Sequence, residues 1–251
     1  MKAAERLLRL RRVFERQEFA DLATLARSLR TSESTVRRDL AALEKEGLVQ
    51  RVHGGALAAP KRETGYDFAG QARRMAGAKA RIARVAAGLI EDGQMVILDG
   101  GSTVAAVARE IVHRSLHVLT NSLPIAGIFE HARNVELTLT GGTLYPRFGV
   151  LLGPLCEQML GAVAADVLVM GTGGVTEAGF GNNSTLVVGS ERRMIEVSRK
   201  VVIVADHTKF GRAGMIPLAP LEAAHVVVSD RELDDGYREM LRSRGVELLL
   251  A

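Results

Sequence analysis

Thr31-Ser32-Glu33-Ser34-Thr35-Val36-Arg37-Arg38-Asp39-Leu40-Ala41-Ala42-Leu43-Glu44-Lys45 is the stretch on which the reading of the fold turns. Ser32 can cap a helix, because its hydroxyl accepts a backbone N–H that has no partner in the first turn. Glu33 then lies where the helix dipole favours negative charge. Val36, Leu40 and Leu43 recur at i, i+4 and i+7, which predicts a buried stripe. At about 100° per residue, Ser34, Arg38 and Lys45 fall on the opposite face, with Arg37 on its flank.

Upstream, residues 3–16 place Leu7, Leu10, Val13 and Phe14 on one side of a first helix. Asp21 can cap a second helix that carries Leu22, Leu25, Ala26 and Leu29, and Thr31-Ser32 interrupts it. A short helix, a tight turn and a helix exposing Ser and Arg near its start make a helix-turn-helix. Such a motif lays its second helix in the major groove of duplex DNA. Arg can then grip guanine through O6 and N7, while Ser and Thr take phosphates or bases. Gly47 is a suitable C-cap. Leu48–His53 alternates like a strand and closes at Gly54-Gly55, which predicts a small hairpin, or wing, that brings Arg51 and His53 to backbone phosphates. The DNA-contacting candidates are thus Ser34, Thr35, Arg37, Arg38, Lys45, Arg51 and His53. A three-helix bundle with a solvated charged face is the plainer alternative. Caps, turn, basic face and wing within one short segment favour the DNA-binding reading.

Charge agrees with that division. Residues 1–56 hold 12 Lys and Arg against 8 Asp and Glu, which is the entire net charge of +4 of the 251-residue chain. A basic segment attached to a neutral remainder points to a polyanionic partner. Hydrophobic residues at 47% and charged ones at 25% describe a globular chain. No apolar run approaches membrane-spanning length, and the opening MKAAERLLRLRRVFERQ lacks the apolar core of a signal peptide. A cytoplasmic protein with no membrane partner is expected. The single cysteine, Cys156, offers neither a disulfide nor metal-site spacing. With 4% aromatics and no Trp, stacking on single-stranded bases is not the expected binding mode.

The run Ser32–Leu40, with Leu43, Glu44, Gly47 and Arg51-Val52-His53-Gly54-Gly55-Ala56, resembles the DeoR family of bacterial transcriptional regulators. The Thr-Val-Arg-Arg-Asp-Leu helix followed by a His-Gly-Gly-Ala wing is more specific than a generic helix-turn-helix. Two positions depart from the family pattern. Arg30 stands where Gly or Asn is frequent, and Thr31 where Val is usual. A positive φ at Arg30 would cost about 1 kcal/mol.

Residues 57–78 contain Pro60 and no sustained apolar period, and read as a linker with a short helix around Gln71–Met75. Residues 79–251 read as an α/β effector-binding domain that starts with a helix over 79–90. Its strands are predicted at 95–98, 117–120, 135–140, 167–170, 201–205, 225–228 and 246–250, alternating with helical stretches. Runs such as Val201-Val202-Ile203-Val204 are apolar on both faces, as in a mainly parallel sheet covered on both sides. Ligands of such sheets bind beyond the carboxyl ends of the strands. The loops there are Asp99-Gly100-Gly101-Ser102-Thr103, Thr120-Asn121-Ser122, Gly141-Gly142, Gly171-Thr172-Gly173-Gly174 and Asp206-His207-Thr208-Lys209. The first leads into a helix and can cradle phosphate. Tight turns alone account for any one of these loops; five together favour a pocket.

This half also resembles the DeoR family, whose carboxy-terminal domain is similar to ribose-phosphate isomerase and glucosamine-phosphate deaminase. The resemblance implies a phosphorylated sugar effector. Gly101, Ser102, Thr103 and Lys209 would then hold its phosphate, and Asp99, Thr120, Asn121 and Gly142, beside Gly141, its sugar. The match is loose over Asn182–Ser190, so it says least there about which effector is bound. No cofactor, metal site or catalytic residue is expected. Gly171-Thr172-Gly173 is followed by Thr176 where a dinucleotide fingerprint needs Gly, and His113 and His117 straddle a helix end and a strand. The expectation is a sequence-specific repressor of sugar-metabolism genes that binds double-stranded operator DNA as a homo-oligomer, a dimer or tetramer. The alternatives are an isomerase- or deaminase-like enzyme, a sugar-phosphate binding module and a nonspecific nucleic-acid binder.

Overall fold

In the computed structural model, which describes residues 3–16, 19–46, 48–52, 54–58 and 68–251, the chain divides into two compact units, Met1–Gly65 and Tyr66–Ala251. The first contains α1 (Ala3–Arg16), β1 (Phe19–Asp21), α2 (Leu22–Leu29), α3 (Glu33–Lys45), β2 (Val49–Val52) and β3 (Gly55–Ala58). Asp21 caps α2 by accepting the Thr24 N–H at 2.8 Å. Ser32 caps α3 in the same way, accepting the Thr35 N–H at 3.3 Å. The stripe Val36, Leu40 and Leu43 is buried with Leu10, Phe14, Leu25 and Leu29 in one core. Arg30, between α2 and α3, is left-handed at φ 49° and ψ 51°.

The wing is an antiparallel hairpin of β2 and β3, with Val52 opposite Gly55. Unanticipated from sequence, β1 pairs with the other side of β3 and makes a three-stranded sheet. Gly55 permits this approach, since a Cβ there would stand 2.4 Å from the Ala20 carbonyl oxygen. Gly47, read as a C-cap, lies outside the described residues, as do 59–67 of the stretch read as a linker.

The second unit runs α4 (Phe68–Arg73), α5 (Ala76–Ala87), β4 (Met95–Leu98), α6 (Ser102–Ile111), β5 (Leu116–Thr120), α7 (Leu123–Phe129), β6 (Val135–Leu139), β7 (Thr143–Tyr145), β8 (Val150–Leu152) and α8 (Pro154–Gly161). It continues with β9 (Ala165–Met170), β10 (Gly174–Thr176), β11 (Gly179–Asn182), α9 (Thr185–Glu196), β12 (Ser198–Val204), β13 (Ile216–Ala219), β14 (Val226–Ser229), α10 (Asp235–Ser243) and β15 (Glu247–Leu250). Among the described residues the seven expected strands form one sheet in the order β15-β14-β12-β9-β4-β5-β6, every neighbouring pair parallel.

Alternate residues of each strand enter different cores, which explains the unbroken apolar runs. Val96, Leu98, Val169 and Val204 meet Ile82, Val107 and Ile125 of α5, α6 and α7. Ile97, Leu168 and Ile203 meet Cys156, Leu160, Met194 and Leu241 of α8, α9 and α10. Full burial of each such aliphatic side chain contributes about 1.5–3 kcal/mol. The chain winds from β4 through β5 to β6, then returns to place β9 on the other side of β4. That reversal opens a crevice between the loops that follow β4 and β9, the place where open α/β sheets bind ligands.

Candidate functional site

Two surfaces emerge, one in each unit. In the first, Ser34, Arg37, Arg38 and Lys45 are exposed on α3, and Thr35 is half-buried. The hydroxyls of Ser34 and Thr35 each lie 2.9 Å from that of Ser32, so the amino-terminal turn of α3 is a small hydroxyl cluster. Arg37 stands 3.9 Å from Glu33 one turn away, at the limit of an ion pair. Arg38 and Lys45 make no ion pair among the described residues. Arg51 is differently placed. Its backbone N–H and its Nε donate to Glu44 at 2.9 and 2.7 Å. These bonds hold the Glu44 carboxyl below its ordinary range, the backbone one foremost. They also fasten the wing to α3. His53 lies outside the described residues.

In the second unit a cavity of about 310 Å³ opens at the switch point of the sheet. Gly101 enters α6 at φ 144°, a conformation for which glycine is suited, and Gly101, Ser102 and Thr103 form one wall. Lys79 of α5 and Lys209, after β12, form another. Lys79 is buried and donates from Nζ to Ser102 Oγ at 3.0 Å and to the Gln71 carbonyl. Burial lowers the proton affinity of both lysines, and the charge of Asp206 opposes this. Asp206 is itself fixed by the Thr208 N–H at 3.1 Å and by the Thr208 hydroxyl. Two desolvated cations beside a helix amino-terminus suit an oxyanion.

The remaining walls hold Asp99, Glu191, Asn182 and the Gly171–Gly173 loop, with Arg147 and Phe148 from the β7–β8 turn. Burial pushes the Asp99 carboxyl up to about 7, against hydrogen bonds from the Gly100 and Gly171 backbones. Glu191 is pushed well above its ordinary value, by burial first and by the charge of Asp99 second. Asn182 Nδ2 donates to Glu191 Oε1 at 2.7 Å, while Oε2 has no partner among the described residues.

Of the expected effector residues, Asp99, Gly101, Ser102, Thr103 and Lys209 line this cavity, whereas Thr120, Asn121, Gly141 and Gly142 do not. The reason is sheet order, since β5 and β6 lie beyond β4, away from β9. Thr120 turns inward, its hydroxyl donating to the Leu98 carbonyl at 2.6 Å. Asn121 holds β8 through Leu151, accepting its N–H at 2.7 Å and donating to its carbonyl at 3.3 Å. Gly142, at φ 127°, packs under Leu152, whose carbonyl oxygen a Cβ would approach to 2.6 Å. Gly141 is exposed near Leu155. Sequence reasoning missed Lys79, which read as the start of a helix, and Asn182 and Glu191. A lysine inside an otherwise apolar helix face was the available signal for the first.

One group of possible metal ligands occurs among the described residues, His207, Asp230 and Glu232. The Asp230 carboxylate there already accepts the backbone N–H groups of His207 and Glu232 at 3.0 and 3.1 Å and meets His207 Nδ1 at 2.8 Å. It serves as a loop clasp.

Residues 6–62 match the family model of the DeoR-like helix-turn-helix domain, and residues 74–231 that of the DeoR C terminal sensor domain. The chain is 31% identical to the HTH-type transcriptional repressor GlcR of Bacillus subtilis over 88% of its own length and 86% of that protein. It is 32% identical to the HTH-type transcriptional regulator GlpR of Haloferax volcanii, over 99% of this chain and 98% of the relative. Among solved structures, ribose 5-phosphate isomerase A of Methanocaldococcus jannaschii is similar over 53% of either chain, at 17% identity and a TM-score of 0.37.

Proposed function

The chain belongs to the DeoR family of transcriptional regulators, and on that premise we propose that it represses sugar-metabolism genes from an operator read by α3 and the wing, under the control of a phosphorylated sugar bound in the cavity of the second unit. Ser34, Thr35, Arg37 and Arg38 face base edges and nearby phosphates, and Lys45, Arg51 and His53 the backbone. Paired half-sites call for a homo-oligomer, a dimer or a tetramer. The work takes place in the cytoplasm; among the described residues no helix is long and apolar enough to cross a membrane. An isomerase or deaminase finds no support in the relatives, which are named transcriptional regulators.

The observation that carries the effector reading is the pair Lys79 and Lys209 beside the start of α6, at the switch point of a parallel sheet. A sugar phosphate changes DNA affinity only as far as it binds one arrangement of the protein better than another. The test is footprinting of the full chain on DNA selected from genomic fragments, with and without a panel of sugar phosphates. A sequence-dependent footprint that one member of the panel strengthens or removes is expected. Uniform protection of all DNA, or indifference to every sugar phosphate, contradicts the proposal.

A further inference from the structure

The cavity is lined by charges of both signs. Lys79 and Lys209 lie within each other's field, and so do Asp99 and Glu191. The acids are 3% and 2% exposed, so nearly all of their solvation has been given up. Buried carboxylates are ordinarily paired with a cation. Among the described residues neither of these is in an ion pair, and the hydrogen bonds that act on them come from the backbones of Gly100 and Gly171 and the amide of Asn182. Lys79 is spoken for by Ser102 and the Gln71 carbonyl. One oxygen of Glu191, Oε2, is buried and accepts nothing. The carboxylates repel each other, and a neutral ligand hydroxyl could satisfy that oxygen without relieving the repulsion.

We propose that the effector is a phosphorylated amino sugar with a free amine, whose ammonium group sits between Asp99 and Glu191 while its phosphate meets Lys79 and Lys209. Asn182 positions Glu191 by holding Oε1, which leaves Oε2 for an ammonium N–H. The ligand is then a zwitterion whose phosphate meets the two lysines and whose ammonium meets the two carboxylates. This inference rests on the phosphate reading of the two lysines, and the experiment separates the two.

Calorimetric titration of the full chain, in EDTA to exclude divalent cations, compares glucosamine 6-phosphate with glucose 6-phosphate and N-acetylglucosamine 6-phosphate, and likewise the three galactose-configured sugars. In at least one series the free amine should bind about tenfold tighter or more, as a charge-assisted hydrogen bond warrants. The N-acetyl sugar, which lacks the charge, should bind no better than the hydroxyl sugar. Glu191→Gln, which keeps the shape, should abolish the preference for the amine, and a preference that survives in this variant overturns the inference. Equal affinities for amine and hydroxyl sugars, or an N-acetyl sugar as tight as the amine, overturn the inference while the phosphate reading stands. No binding by any of the six overturns both.

Discussion

Arg6 and Asp39 join α1 to α3 by a forked ion pair, Nε to Oδ2 at 2.8 Å and Nη2 to Oδ1 at 3.3 Å. Asp39 lies on the buried side of α3, directly after Arg38. The pair therefore sets the rotation of the helix that carries Arg38. Arg6→Lys keeps the charge but loses the fork. It should lower Tm by several degrees and weaken operator binding several-fold, with the salt dependence of binding unchanged. An unaltered Tm would deny the pair this role.

Arg38→Ala should cost roughly 1–3 kcal/mol of affinity for the specific operator and relax preference at one base pair. Lys45→Ala should instead weaken binding to all sequences alike, reducing the slope of log K against log salt by about one. Arg51, whose charge Glu44 already counters, should change that slope by less. Competition titrations across a salt series read all three, and an unchanged operator affinity for Arg38→Ala would refute the helix register.

Lys209→Ala should weaken effector binding by roughly 10–100-fold, the weight of a charge-assisted hydrogen bond. Operator affinity without effector should stay as it was. A variant that loses DNA binding yet still responds normally to effector would reverse the roles assigned to the two units.

Asp99 gives the stability a definite dependence on pH. With its carboxyl raised to about 7 in the folded chain, the unfolded chain loses this proton near pH 4 while the folded chain keeps it. Between those values the folded state binds more protons, so stability falls as pH rises, and the slope from this group ends above its folded pKa. Asp99→Asn should flatten the slope and add on the order of 1–3 kcal/mol at neutral pH. Chemical denaturation between pH 5 and 8, a range set by those pKa limits, checks the sign. A steeper slope in the variant would show that burial is not what holds the proton.

Arg30→Gly should stabilise the first unit by roughly 0.5–1 kcal/mol, because glycine accepts the left-handed turn without steric cost. The side chain is exposed and its loss removes no core contact. A Tm at or below that of the parent chain would place the strain elsewhere.

How far the sequence sufficed depends on the range of the interaction. Caps such as Asp21 and Ser32 act within one turn and were legible, as were the two-faced apolar strands like Val201–Val204. Strand β1 was not, because Asp21 already had a role as a cap and three residues carry no period. The small sheet of β10, β11 and β13 hides in a glycine-rich run, where Gly174, Gly181 and Gly214 serve close backbone approach and show no apolar alternation. At the candidate site, loop chemistry pointed to the edge of the sheet where the cavity lies, but not to which loops converge there. Thr120 and Asn121 follow a strand as Asp99 does, yet only the order of strands shows that β4 and β9 are neighbours while β5 lies on the far side. Glu191 sits mid-helix, and only tertiary packing turns it toward the cavity.

Gln71, a wall residue whose carbonyl holds Lys79, belongs to the first helix of the second unit, six positions after Gly65. The cavity is thus fastened to α4, the element that comes first in its own unit. Whatever pulls on Lys79 pulls on α4, so a ligand held by that lysine is felt at the very start of the sheet domain.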